Sequence, residues 1–171
     1  LQRIIQLSTT LCYVVEENRC GLSVLRQDNV LEILDLPRET FRYWRARLSP
    51  LARRERGHNA RYSTGELLGL MCVQLLVEEH DRPVSRVKVV ATPLFDQCRH
   101  QHWPELRDKC MFVNFVDRRI LLSPSLNERP AGSQPSDDVL MIGELVTRIE
   151  ALIHAEPEIS YISPVNPVAL A

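Results

Sequence analysis

The sequence predicts a mainly α fold with a small β component, and three observations point there. Apolar residues recur at three- and four-residue spacings along most of the clear segments, the spacing of one helix face. Alternating or β-branched runs are confined to a few short stretches. Prolines at 37, 50 and 83 fall where helices should begin or end.

Residues 1–23 form an N-terminal arm, with Leu1 to Leu7 opening a short helix and Thr10 to Val15 reading as a strand. The main unit spans 24–100. Asn29 to Leu34 is a short helix with Val30, Leu31, Ile33 and Leu34 as its apolar residues, and Asp35-Leu36 is a turn. Pro37 then suits a first helical position, where its missing N–H costs nothing. The following helix reaches about Leu48, with Phe41, Trp44, Ala46 and Leu48 inward and Pro50 ending it. Two short helices with a tight turn and a basic second helix describe a helix-turn-helix. Arg53 to Arg61 is a polar loop with Gly57 and Asn59 near its tip, a hairpin or wing. Ser63 with Glu66 makes a capping box for a helix from Thr64 to about Glu79. Ser85 to about Cys98 is a further helix, burying Val87, Val90, Leu94 and Phe95 and kinked or interrupted by Pro93.

Residues 101–136 hold a strand-like stretch at 111–122 and a linker at Pro130 to Ser136. Residues 137–155 are a strong helix in which Val139, Ile142, Val146, Ile149 and Ile153 repeat at heptad spacing. Between that linker and the proline-bearing tail at 156–171, the seam is expected to pair two copies of the chain. The expected architecture is therefore a winged helix-turn-helix followed by a C-terminal dimerisation helix.

Charge separates one stretch from the rest. Between 38 and 61 eight arginines (Arg38, Arg42, Arg45, Arg47, Arg53, Arg54, Arg56, Arg61) face only Glu39 and Glu55, although the whole chain carries a net charge of −1. A compact basic block on an otherwise acidic chain is the footprint of a surface for polyanions. All eight are arginine, the residue favoured for bidentate contact with phosphate or guanine.

Two segments extend this reading: Thr40-Phe41-Arg42-Tyr43-Trp44, and Asn59-Ala60-Arg61-Tyr62-Ser63 with Glu66-Leu67. In this order, joined by a basic loop, they resemble the MerR family of bacterial transcriptional regulators. That family carries Thr-Leu-Arg-Tyr and a Tyr or Trp in its second helix, and closes its wing on Arg-Tyr-Ser/Thr before an acidic residue and Leu. The resemblance covers residues 30–97, about 40% of the chain. It implies a winged helix-turn-helix, two further helices and a long helix pairing antiparallel in a dimer. It also implies that Thr40, Arg42 and Tyr43 contact DNA from the recognition helix, and that Arg61 and Tyr62 contact its backbone. The chain departs from the pattern at Arg45 and Arg47, where many members are acidic, in its N-terminal arm, and in the segment before its last helix.

The expected function is sequence-specific transcriptional regulation by a homodimer on a double-stranded DNA operator, with RNA polymerase as a further partner. Alternatives are an architectural DNA binder of the excisionase type and a basic protein-interaction adaptor. Salt-sensitive, sequence-selective DNA binding separates the DNA readings from the adaptor. No nucleophile–base set, phosphate loop or carboxylate pair appears, so neither catalysis nor a cofactor is expected. Cys98, His100, His102 and Cys110 have the ligand types of a zinc or copper site, although unrelated side chains around a surface turn are the expected reading. Five cysteines without a C-x-x-C pair fit reduced, mostly buried thiols. No apolar run is long enough to span a membrane, and the first residues lack the pattern of a secretory leader, so a cytoplasmic location is expected.

Overall fold

Strands β1 (Arg3–Leu7) and β2 (Leu11–Val15) pair antiparallel in a computed structural model that describes residues 3–7, 11–15, 24–52, 60–100 and 103–154. The helix expected over Leu1 to Leu7 is thus a strand: a short apolar run has no distinguishing period, and pairing with Leu11–Val15 decides it.

Strand β3 (Val24–Arg26) runs straight into α1 (Gln27–Ile33). Asp35 ends that helix in the left-handed region, at φ 49°. The Leu36 N–H then reaches the Leu31 carbonyl at 3.0 Å and the Asp35 N–H the Glu32 carbonyl at 3.1 Å. These two bonds are those of a Schellman stop, here with an aspartate in place of the usual glycine. Two side chains cover the remaining carbonyls: Gln74 donates to Leu34 O at 3.0 Å, and Arg148 donates to Ile33 O at 2.9 Å. Helix α2 (Arg38–Arg47) follows, buried through Phe41 and Trp44. Ala46 is exposed, contrary to expectation. Leu48 leaves helical geometry with ψ 112°, and Pro50 sits inside the next single turn, α3 (Ser49–Ala52), where it was expected to end a helix. Strand β4 (Arg61–Ser63) returns antiparallel to β3, pairing Leu25 with Tyr62 and Arg26 with Arg61.

The expected capping box opens α4 (Thr64–Glu78): Ser63 Oγ accepts from Glu66 N at 3.3 Å, and Ser63 N donates to Glu66 Oε2 at 2.8 Å. Arg99 holds the other Glu66 oxygen at 2.9 Å. The single helix expected from Ser85 to Cys98 is two, α5 (Val84–Val87) and α6 (Ala91–His100). Pro93 explains the division. It has no N–H to donate, so it is accommodated in the first turn of a helix that restarts at Ala91. Helices α4 and α6 approach at Gly65 and Gly69, where an added Cβ would lie 2.5 Å from Cys98 O and 2.9 Å from the Phe95 ring.

The strand-like stretch at 111–122 is two strands, β5 (Cys110–Asn114) and β6 (Arg119–Ser123), paired antiparallel, and β7 (Asp138–Leu140) pairs on the other side of β5. The chain closes through α7 (Ile142–His154). These strands correct the expected dimer helix in two ways. Val139 lies in β7, opposite Phe112. Ile142, Val146 and Ile149 are each 0% exposed, buried in the same core cluster as Leu68 and Leu76 of α4. The seam is covered by its own chain. The side chain of Ile153 lies outside the described residues. Pro130 to Ser136 does not free α7 either, because β7 is tied to β5 and Asp138 accepts two hydrogen bonds from Arg82, at 2.7 and 2.6 Å.

The described chain is mainly helical with small antiparallel sheets, and one apolar core runs from Leu25 to Ile149. Among the described residues no helix is long and apolar enough to cross a membrane.

Candidate nucleic-acid interface

Helix α2 divides by side. Phe41 and Trp44 are at most 2% exposed, and Phe41 meets the Tyr62 ring edge-on at 6.0 Å. The opposite side carries Arg38, Arg42, Tyr43 and Arg47, all exposed, with Thr40 and Arg45 half-buried at its margins. Tyr43 is 47% exposed, and the Arg47 guanidinium lies 5.4 Å from its ring centroid, a cation–π stack that presents both groups together.

The first turn of α1 positions this face through two contacts. Asp28 Oδ1 accepts from Arg38 at 3.0 Å, and Gln27 Oε1 accepts from Arg45 at 3.1 Å. Arg42 pairs with Glu39 at 2.8 Å. The Arg38–Asp28 and Arg42–Glu39 pairs are exposed, and such pairs are worth at most about 1 kcal/mol. Either carboxylate is therefore held weakly, and separating it from its arginine costs little.

Arg61 is exposed on the outer side of β4, whereas Tyr62 is 0% exposed on its inner side. This corrects the expectation that Tyr62 contacts DNA: strand alternation turns it into the core beneath Phe41. Sequence reasoning also passed over Arg26. It is exposed and sits directly opposite Arg61 in the β3–β4 register. No motif marks it, and only the pairing of two strands distant in sequence brings it beside the basic face. Arg53, Arg54 and Arg56 lie outside the described residues.

No protein-family model, curated protein or solved structure matches the chain. The face therefore rests on its own chemistry: a rigid helix with an apolar underside and a guanidinium-rich outer side, next to a strand pair carrying two more arginines.

Cys98, His100 and Cys110, the described members of the candidate metal set, are not gathered into a ligand group. Cys98 is buried against Cys72 in the α4–α6 contact, and Cys110 meets the Met141 thioether at 3.6 Å. His100 is exposed at the end of α6, and His102 lies outside the described residues. Among the described residues no group of three or more His, Cys, Asp or Glu is placed to hold an ion. The Cys72 thiol is pushed well above its ordinary range by its hydrogen bond with Cys98, then by burial and the charge of that neighbour. Burial raises Cys110.

Proposed function

We propose that the chain binds double-stranded DNA through the outer side of α2, as the recognition helix of a winged helix-turn-helix, and regulates transcription. The observation that carries this reading is the division of α2, with Phe41 and Trp44 sealed below and Arg38, Arg42, Tyr43 and Arg47 exposed above. A helix of this width enters a major groove, where arginine reads guanine edges and a tyrosine hydroxyl reaches phosphate. The Schellman stop at Asp35 supports the reading, because it fixes the turn between α1 and α2. The arginine-rich stretch 53–59 falls between α3 and β4 in the sequence, where a wing of such a fold would lie. An operator of paired half-sites needs a second copy, docked through a surface other than the covered α7 seam. RNA polymerase is the further partner of such a regulator.

Selection of a randomised duplex library with the full chain, followed by titration at several salt concentrations, tests the reading. Enrichment of a defined sequence with binding that falls steeply with salt is expected. Binding that ignores sequence would favour an architectural role. Absence of binding at low salt would remove DNA altogether and leave an acidic protein partner.

A further inference from the structure

We infer that β6 carries a homodimer contact: the outer edge of this strand pairs antiparallel with the same edge of a second copy, about a two-fold axis at Leu121. Among the described residues the sheet runs β6-β5-β7, so β6 has one strand neighbour, and no loop or helix backbone bonds to its outer side. Such an edge turns unpaired N–H and C=O groups outward, and where it is apolar it is a template for another strand. Ile120, Leu121 and Leu122 are three apolar residues in a row there, each only half-buried. The opposite edge is different. Strand β7 is three residues long and holds Asp138 against Arg82, a short charged edge of the kind that resists pairing.

The strand itself selects its own copy as the occupant. With the axis at Leu121, that residue meets Leu121 of the other copy, Ile120 meets Leu122, and Arg119 meets Ser123. Moving the axis one residue either way sets Leu122 against Arg118, or Ile120 against Pro124, which has no N–H to donate. Ser123 Oγ donates to the Glu128 carbonyl, which keeps exposed Glu128 at that end of the strand; exposed Arg118 and Arg119 stand at the other. Antiparallel pairing therefore brings the basic end of each copy to the acidic end of its mate. Arg119 also pairs with Asp117 of its own chain at 2.7 Å, and its guanidinium has donors for both carboxylates. Leu121 lies opposite Phe112, and Phe112 opposite Val139, so the contact joins two apolar rows into one across six strands. A single five-residue edge buries less than the roughly 1,200–2,000 Å² of a standard interface, so the pair is weak in free solution and separates before the chains unfold. It forms without DNA, and it is the second copy that paired half-sites need.

Sedimentation equilibrium of the full chain without DNA, from micromolar to millimolar concentration, tests the pairing. The mass is expected to rise from one chain to two and stop there. Amide exchange at alternate positions of β6 should slow as the pair fills. Leu121→Lys sets like charges face to face on the axis and should weaken the pair about tenfold or more. Arg119→Glu and Glu128→Arg, both at exposed positions, should each weaken self-association, and an equimolar mixture of the two should restore it as a heterodimer. If Leu121→Lys lowers the melting temperature of the chain, this charge exchange decides. A single-chain mass throughout, growth beyond two chains, or a dimer indifferent to these changes would each overturn the β6 pair. Chains that bind a selected duplex but stay single at millimolar concentration would remove the β6 pair alone. Chains that pair but bind no duplex at low salt would remove the DNA reading alone.

Discussion

Truncating Ile149 to Ala measures where α7 spends its apolar side. Ile149 is 0% exposed within a single chain, as are Ile142 and Val146. The change removes buried carbons and leaves a cavity between α7 and the rest of the core, a loss of about 2–5 kcal/mol. For a chain of this size each kcal/mol lowers the melting temperature by about 2–4 °C. A fall of about 4–20 °C is therefore expected, followed by far-ultraviolet circular dichroism. Repeating the melt at several protein concentrations makes it decisive. Burial within one chain gives a transition that ignores concentration, whereas a seam shared by two copies gives one that rises with it. A wild-type melting temperature that climbs with concentration, together with an Ile149→Ala chain whose mass by light scattering halves, would refute the intrachain packing.

Gly143→Ala should also destabilise, because the new Cβ would lie 2.0 Å from the Arg107 carbonyl oxygen and α7 must shift to admit it; the cost is about 1–3 kcal/mol, seen in the same melts. Arg42→Ala should weaken binding to a selected duplex by about 1–3 kcal/mol with an unchanged melt, because its side chain is exposed. Exchanging Arg53, Arg54 and Arg56 together should flatten the salt dependence by about two to three units while sequence choice stays the same. Alkylation of Cys110 in the native chain should be far slower at pH 8 than that of a small thiol, because burial raises its pKa and depletes the thiolate. The rate should climb as pH rises further, and unfolding should abolish the difference.

What the sequence made legible was local. The Ser63–Glu66 box, the Asp35 turn and the two sides of α2 all depend on residues within a few positions of one another. Heptad spacing showed that Ile142, Val146 and Ile149 share one side of a helix, but periodicity does not say what covers that side. The answer, the body of the same chain, depends on β7 joining β5 and on Arg82 reaching Asp138, contacts that no local pattern encodes. Linker-like composition at Pro130 to Ser136 pointed the wrong way for the same reason. Tyr62 is a different case. A family motif assigned it to DNA, although the alternation of Arg61, Tyr62 and Ser63 already turns it inward. Arg26 became visible only through strand register.

The Arg148 bond to the carbonyl of Ile33 joins residues 115 positions apart. At a synthesis rate of about 5–20 residues per second, the stop of α1 waits on the order of ten seconds for its last donor to leave the ribosome. During that interval α4 has no α7 to cover it, and Leu68 and Leu76 belong to a core that is still being delivered. Contacts this distant in sequence slow folding and prolong the exposure of apolar surface. The nascent chain thus meets its greatest risk of aggregation before α7 appears, and chaperone demand should be greatest there.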